Sequence, residues 1–447
     1  MPPPDWTPTS WRTLAAAQQP SYRDPVEVET VLARLRVLPP LVASAEVNAL
    51  KAQLAEAAVG KRFILQGGDC AERFADCNTQ SILRKLKIIL QMSLVLTYGA
   101  RRPVIRLGRI AGQFAKPRSN DTELVNGVSL PVYRGDNVND LEATAEKRRP
   151  DPERLERGYY SAAATLNFIR GLIRAGFASL RSPEHWQLDF LPASETHKGF
   201  REIAERIRDA IDYFESLGPV SPNLKEVDFY TSHEALVLPY EEALTRFDED
   251  SERFYNLGAH FIWIGERTRA LDGAHVEYFR GLANPIGIKV SSSATPDSLR
   301  ALIEKVDPSN EAGRVTLITR FGHEKIASAL PPLVRAVRAA GKRVGWSCDP
   351  MHGNSQTVEG FKTRDFSHIL TELTHAFQIH HAEGSHLAGV HFELTGENVT
   401  ECLGGAKPLS RRDLEAAYQT GCDPRLNYAQ SMEMAFLISQ LLVDTKR

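Results

Sequence analysis

Eight short apolar runs recur along this chain, each followed by polar residues, and most of them alternate with helical patterns. The runs are residues 62–65, 104–107, 227–230, 261–264, 286–289, 315–318, 344–347 and 389–392. Most are too short for helices and are rich in β-branched and aromatic residues, so they read as strands. Segments such as 299–303 and 333–337 carry apolar residues at helical spacing between them. Strand–helix alternation builds parallel βαβ units, and eight units are the number that closes a (β/α)8 TIM barrel, an α/β fold. A doubly wound open sheet is the alternative reading of the same pattern.

Two parts lie outside the repeat. Residues 1–60 read as an N-terminal extension with two amphipathic helices, one carrying Val28, Val31, Leu32 and Leu35, the other Val47, Leu50 and Leu54 and stopped by Gly60. Residues 61–447 are then the catalytic barrel. Between its second and third strands lies an insertion, about 150–218, with two helical patterns. Residues 152–180 align Leu155, Tyr159, Ala162, Leu166, Ile169, Ile173 and Phe177; residues 199–217 align Phe200, Ile203, Ile207, Ile211 and Phe214. One helix is surplus to a barrel and needs a packing partner or a purpose.

Composition narrows the function. With 54 Lys+Arg against 56 Asp+Glu the net charge is −2, without the basic excess of a nucleic-acid binder. Cys70, Cys77, Cys348, Cys402 and Cys422 contain no CxxC, which argues against a disulfide scaffold or a zinc ribbon. No run of 18 apolar residues suggests a membrane span, and the proline-rich start does not resemble a signal peptide, so the expected compartment is the cytoplasm.

The chemistry is expected where each strand ends, the rim at which barrels of this type keep their sites. Two residue sets separate there. Arg109, Lys116, Arg118, Arg267, Lys289 and Arg320 are cations suited to a substrate with several anionic groups. Cys70, His352, Glu393 and Asp423 offer a thiolate, an imidazole and two carboxylates, a mixture that suits a catalytic first-row divalent metal. Taken singly, each has an ordinary structural reading: a surface ion pair, a small buried thiol, a hydrogen-bonded histidine. His391 shares a strand face with Glu393 and reads as a lumen residue.

Long motifs add to this. Gln66-Gly67-Gly68-Asp69-Cys70-Ala71-Glu72, the stretch from Arg109 to Ser119, Trp263-Ile264-Gly265-Glu266-Arg267-Thr268, Asp349-Pro350-Met351-His352-Gly353-Asn354, the stretch from Phe392 to Cys402, and Cys422-Asp423-Pro424-Arg425-Leu426-Asn427 closely resemble the type II family of 3-deoxy-D-arabino-heptulosonate 7-phosphate synthases. The similarity runs from about residue 10 to residue 440. It implies the first step of the shikimate pathway: condensation of phosphoenolpyruvate with D-erythrose 4-phosphate, releasing phosphate. It places the metal on Cys70, His352, Glu393 and Asp423, with Mn2+ or Co2+ expected and Zn2+ or Fe2+ as alternatives. It places phosphoenolpyruvate on Arg109, Glu266, Arg267, Lys289 and Arg320, and erythrose 4-phosphate near Lys116, Arg118 and Ser119.

Lys116 and Glu266 are the candidates for proton transfer, Lys116 because neighbouring cations would disfavour its charged form. The resemblance further implies feedback by aromatic amino acids through the extension and the inserted helices, a homo-oligomer (dimer or tetramer), and chorismate mutase as a partner. Residues 1–20 and Phe214 are accordingly expected to bear on feedback more than on turnover, since neither follows a strand. A barrel metallohydrolase of a phosphate ester and a catalytically reduced scaffold docking chorismate mutase are the competing readings.

Overall fold

The computed structural model describes Pro3, residues 5–125, 127–175 and 228–444, and the single positions Glu205, Arg206, Asp209, Tyr213 and Ser216. The eight barrel strands are β1 (Phe63–Gly68), β2 (Val104–Arg109), β3 (Phe229–Glu234), β4 (Phe261–Ile264), β5 (Ile286–Val290), β6 (Val315–Thr319), β7 (Gly345–Cys348) and β8 (Gly389–Glu393). Each pairs in parallel with its neighbours in chain order, and β1 pairs β8 to close the ring. The expected (β/α)8 barrel is therefore the fold, and the open-sheet alternative is excluded. Seven strands match the expected runs closely. The third sits further along: the expected run was 227–230, whereas β3 reaches Glu234.

Alternation along the strands divides the core in two. One face points outward to a ring of helices that includes Thr79–Ala100, Pro296–Val306, Ile326–Ala339, Phe366–Ala382 and Tyr428–Asp444. The first and last of these pack closely, because Gly99 leaves no Cβ to collide with Ser439. The other face fills the lumen with Ile64, Ile105, Leu107, Tyr230, Phe261, Trp263 and Ile318.

The extension contributes to both layers. Its first helix, α1 (Pro25–Val37), is capped by Asp24, whose side chain accepts from Val26 N. Its second, α2 (Ser44–Ala58), drives Leu50, Leu54 and Ala57 into the lumen cluster, beside β1 and β7, and so stoppers the amino-terminal end of the barrel. Gly60, at φ +77°, turns the chain from α2 into β1.

The first inserted helix is Glu153–Arg174, within the expected 152–180. Its Leu155, Tyr159, Ala162 and Leu166 share a core with Val31, Leu32 and Leu35 of α1, and Arg34 pairs with Glu153 and Glu156. Extension and insertion thus cover each other's apolar faces. Phe177 and the aligned apolar residues of 199–217, Phe214 included, lie outside the described residues. The connection after β2 also holds an antiparallel hairpin, Thr122–Val125 with Val128–Pro131, that the periodicity did not announce. Among the described residues, no helix is long and apolar enough to cross a membrane, and all five cysteines are free.

The premise of one expectation is corrected here. Residues 1–20 are not remote from the strand ends. Trp6 and Trp11 are buried in the main core; the Trp6 indole donates to Glu277 O at 2.9 Å, and Trp11 donates to Glu242. Gln18 accepts from the backbone N–H of Arg118 at 2.8 Å, and Gln19 bridges Leu236 O and Leu238 N beyond β3. Apolar side chains and buried hydrogen bonds tie this segment to the barrel, so its removal costs stability as well as any control. Trp6→Ala should lower the unfolding free energy by about 3–5 kcal/mol, read as a fall in the urea midpoint at unchanged slope. An unchanged midpoint would show that the segment is not part of the core.

Candidate functional site

The carboxyl ends of the strands surround a cavity of ≈ 420 Å³. Cys70, Arg109, Lys116, Arg118, Ser119, Glu266, Arg267, Lys289, Arg320, His352 and Asp423 all line it. Glu393 lies fully buried at the wall, 3.1 Å from His352 Nε2. Residues scattered over the chain are brought together because register aligns their strands: Gly68 is level with both Arg109 and Glu393.

Arg109 is rigidly held. Its Nε donates to Asp69 O and its Nη2 to Cys70 O, both at 2.9 Å, and its Nη1 donates to His391 Nε2 at 2.7 Å. Burial, then Lys289 and Arg109, hold His391 well below the usual histidine range, so its ring is neutral. Its Nδ1–H then donates to Gln66 Oε1 at 2.7 Å. The lumen reading of His391 holds. The loop that follows Arg109 is clamped by Glu72, whose carboxylate accepts from the backbone N–H groups of Ala111, Gly112 and Gln113. That clamp supports the left-handed backbone of Ala111 at φ +61°.

Thiol, imidazole and carboxylates converge beside it. Ligand atoms of Cys70, Glu393 and Asp423 lie within 4.8 Å of one another. His352 Nε2 is 3.1 Å from Glu393 Oε1 and 3.8 Å from Asp423 Oδ2. Its other nitrogen, Nδ1, is 2.7 Å from Asp349, which fixes the ring with Nε2 facing the cluster. The ammonium of Lys116 touches Cys70 Sγ and Asp423 Oδ2 and lies 3.6 Å from Glu393. Burial alone would raise Glu393 and Asp423, but His352, Lys116 and Arg364 hold both well below the usual carboxylate range. Burial, the Cys422 side chain and Glu393 push the Cys70 thiol well above its usual range, while the hydrogen bond from Cys70 lowers Cys422.

The expected behaviour of Lys116 is corrected by these contacts. Its close neighbours are two carboxylates and a thiol, not cations. Burial alone would lower it, but Asp423, Cys70 and Glu393 outweigh burial and hold it well above the ordinary lysine range. Glu266 is likewise engaged: its carboxylate accepts from Arg269, from the hydroxyls of Ser291 and Ser293, and from Ser291 N. It braces the loops after β4 and β5.

The remaining cations differ in freedom. Among the described residues, buried Arg320 Nε has no hydrogen-bond partner, and Arg267 contacts Ser119 Oγ at 2.7 Å. Lys289 pairs with Asp349, yet burial, with Arg109 and Arg320 adding to it, pulls it down to about 8. Asp349 therefore links Lys289 to His352, a role the sequence did not suggest.

Three further residues were missed. Trp263 presents an unpartnered indole N–H in the cavity wall, with Arg109 and Lys289 over its ring at 5.4 and 5.8 Å. Glu234, partly buried, has an unpartnered Oε1 in the same wall among the described residues, and its pKa is raised by burial against the pull of Lys116, Lys289 and Arg109. Gly265 makes room for it, since a Cβ there would lie 2.0 Å from Oε1. A third strand placed four residues later would have exposed Glu234 as a strand-end carboxylate. Lys362, from a hairpin after β7, pairs with Asp423 at the cavity edge.

Comparison with known proteins gives this geometry a context. Residues 6–439 match the profile of the class-II DAHP synthetase family. A Streptomyces coelicolor protein named phospho-2-dehydro-3-deoxyheptonate aldolase is 46% identical over 436 residues, 97% of each chain. A Neurospora crassa protein of the same name is 45% identical over 454 residues, covering 98% of this chain and 94% of its own. A Mycolicibacterium smegmatis relative, also a phospho-2-dehydro-3-deoxyheptonate aldolase, is 45% identical over 435 residues, 96% and 93% of the two chains. A match that spans almost the whole chain, in relatives whose own length is almost fully covered, shows that this protein belongs to the class-II DAHP synthetase family.

Proposed function

We propose that this protein condenses phosphoenolpyruvate with D-erythrose 4-phosphate and water to give 3-deoxy-D-arabino-heptulosonate 7-phosphate and phosphate, the transferase reaction that opens the shikimate pathway. The observation that carries this reading is a single cavity holding both residue sets. One is a group of cations for two anionic substrates, the other a thiol, an imidazole and two carboxylates suited to a divalent metal. A phosphate-ester hydrolase would need no second anion site at the rim, where Arg118 and Ser119 stand.

Bond formation joins C3 of phosphoenolpyruvate to the aldehyde carbon. An enol ether carbon is a weak nucleophile, so the aldehyde oxygen must be polarised. A divalent ion held by Cys70, His352, Glu393 and Asp423, Mn2+ or Co2+ before Zn2+ or Fe2+, would supply that Lewis acidity. Arg320 and Lys289 bind the phosphate and carboxylate of phosphoenolpyruvate, Arg320 through an uncommitted guanidinium edge. Arg109, immobilised on Asp69, Cys70 and His391, adds charge without having to reorganise. Glu266 keeps the loop carrying Arg267 in place. Arg118 and Ser119 receive the sugar phosphate, oriented in part by Gln18 from the extension. Lys116, in contact with Cys70 and Asp423, places an ammonium beside the aldehyde site. The same proposal includes aromatic amino-acid feedback through the packed extension and insertion, a homo-oligomer, and chorismate mutase as a partner.

Loss of phosphoenolpyruvate absorbance on adding erythrose 4-phosphate tests the reaction, and phosphate release without the sugar would favour a hydrolase instead. Chelation should abolish turnover, and Mn2+ or Co2+ should restore it. Cys70→Ser should keep the fold and bind these ions far more weakly, since a hydroxyl is a poor soft ligand. Full activity in metal-stripped protein would remove the metal from the mechanism.

Arg320→Lys should lower kcat/KM for phosphoenolpyruvate by roughly one to three orders of magnitude, about 1.4 kcal/mol for each order, because a planar fork becomes a point charge. An unchanged value would take Arg320 out of the site.

Lys289 gives a pH dependence. It is charged below about 8 and neutral above it. Attraction for phosphoenolpyruvate is therefore present at lower pH and lost as pH rises through that value, so kcat/KM should fall on the alkaline side. Lys289→Arg, which stays charged, should lose that alkaline limb. A limb that persists unchanged in the variant belongs to another group.

A further inference from the structure

After β7 the chain detours through an antiparallel hairpin, Ser355–Val358 with Phe361–Arg364, before it enters the helix Phe366–Ala382. Lys362 and Arg364 stand two residues apart on one strand of it and so project from the same face. Arg364 is completely buried, and its guanidinium spans three segments. Nε donates to Ser355 Oγ at 3.2 Å, Nη1 donates to Pro424 O, and Nη2 lies 2.7 Å from Glu393 Oε2 in an ion pair whose N–H points off the contact line. Lys362 Nζ pairs with Asp423 Oδ1.

The two carboxylates are therefore each divided. Glu393 gives Oε2 to Arg364 and turns Oε1 toward His352 Nε2, at 3.1 Å. Asp423 gives Oδ1 to Lys362, while its Oδ2, which Lys116 also touches, lies 3.6 Å from Cys70 Sγ and 3.8 Å from His352 Nε2. Arg364 also fixes Pro424, next in the chain to Asp423, so the loop carrying Asp423 and the strand carrying Glu393 are held in one frame.

We propose that Lys362 and Arg364 are selectivity-determining residues, which restrict the cluster to small first-row divalent ions by holding one oxygen of each carboxylate away from it. The inference rests on the reading of Cys70, His352, Glu393 and Asp423 as a metal centre. A large, hard ion such as Ca2+ needs six to eight oxygen donors and draws on bidentate carboxylates to reach that number. Committing Glu393 Oε2 and Asp423 Oδ1 to the hairpin removes two of those oxygens. A small ion of intermediate softness is satisfied by the thiolate, the imidazole and one oxygen from each carboxylate. The hairpin cations also offset part of the cluster's negative charge, which would otherwise attract any dication in proportion to charge alone.

The test uses the metal-stripped full-length chain, titrated with Co2+ and with Ca2+, with the visible Co2+ spectrum recorded alongside. Lys362 is about half exposed, so Lys362→Met leaves the core intact. Freed from its partner, Asp423 gains a second available oxygen and the cluster one more net negative charge. The affinity for Ca2+ relative to Co2+ should then rise by about tenfold or more, and the Co2+ bands should weaken toward those of a higher-coordinate ion. Lys362→Arg, which keeps the charge, should restore the wild-type ratio and spectrum. An unchanged ratio and spectrum in Lys362→Met, with wild-type Co2+ binding intact, would overturn the role of the hairpin while leaving the metal centre standing. Failure of the wild-type chain to bind Co2+ at all would overturn the metal reading, and this inference with it.

Discussion

Buried charge has to be neutralised by buried charge, and the top of this barrel is organised around that requirement. Glu393, Asp423 and Asp349 are carboxylates almost without solvent, and each is met by a cation from another strand or loop. A second layer lies behind them. Asp69 pairs with Lys85 and Arg425, and Arg425 reaches Glu401. Removing one member of such a set leaves an unpaired charge in a low-dielectric interior, which costs several kcal/mol. The network thus ties β1, β2, β5, β7 and β8 and the C-terminal loop into one arrangement. The positions of Cys70, Arg109 and His352 are by-products of charges that must meet.

The same requirement explains what the sequence disclosed and what it hid. Strand–helix alternation is a local pattern, and the eight strands could be read from it because each run is short and mostly apolar. Arg109, Lys289 and Glu393 were visible because a charge at the end of an apolar strand is conspicuous. Glu234 is concealed because the apolar run ends at Phe229 and Tyr230, which begin the third strand rather than end it. The environment of Lys116 was misjudged for a different reason. The sequence groups it with the other strand-end cations, but the groups it meets come from residues 70, 393 and 423. Lys362 and Arg364 gave no signal, since a short hairpin between a strand and its helix has no periodicity to betray it. Without the long motifs, the four cluster residues could be nominated one by one but not assembled, because no spacing joins Cys70 to Asp423.

The extension was legible as helices but not as architecture. Its amphipathic spacing announced that it needed a surface, not which one. Two surfaces take it: α1 lies against the inserted helix Glu153–Arg174, and α2 fills the end of the lumen. Gln18 and Gln19 then carry the segment preceding α1 up to the loops after β2 and β3. An element placed outside the catalytic unit by its sequence is therefore in physical contact with both ends of it.

The stopper formed by Leu50, Leu54 and Ala57 has a consequence for traffic. A vessel closed at its base fills and empties through one mouth. On the proposed assignment, Lys289 lies deep, almost without exposure, while Ser119 stands at the exposed rim. Whatever occupies the rim then stands in the exit path of whatever lies below. The guests form a queue in which the last to enter is the first able to leave. Order of arrival, on that assignment, is a matter of plumbing, settled by the packed lumen and the stopper beneath it.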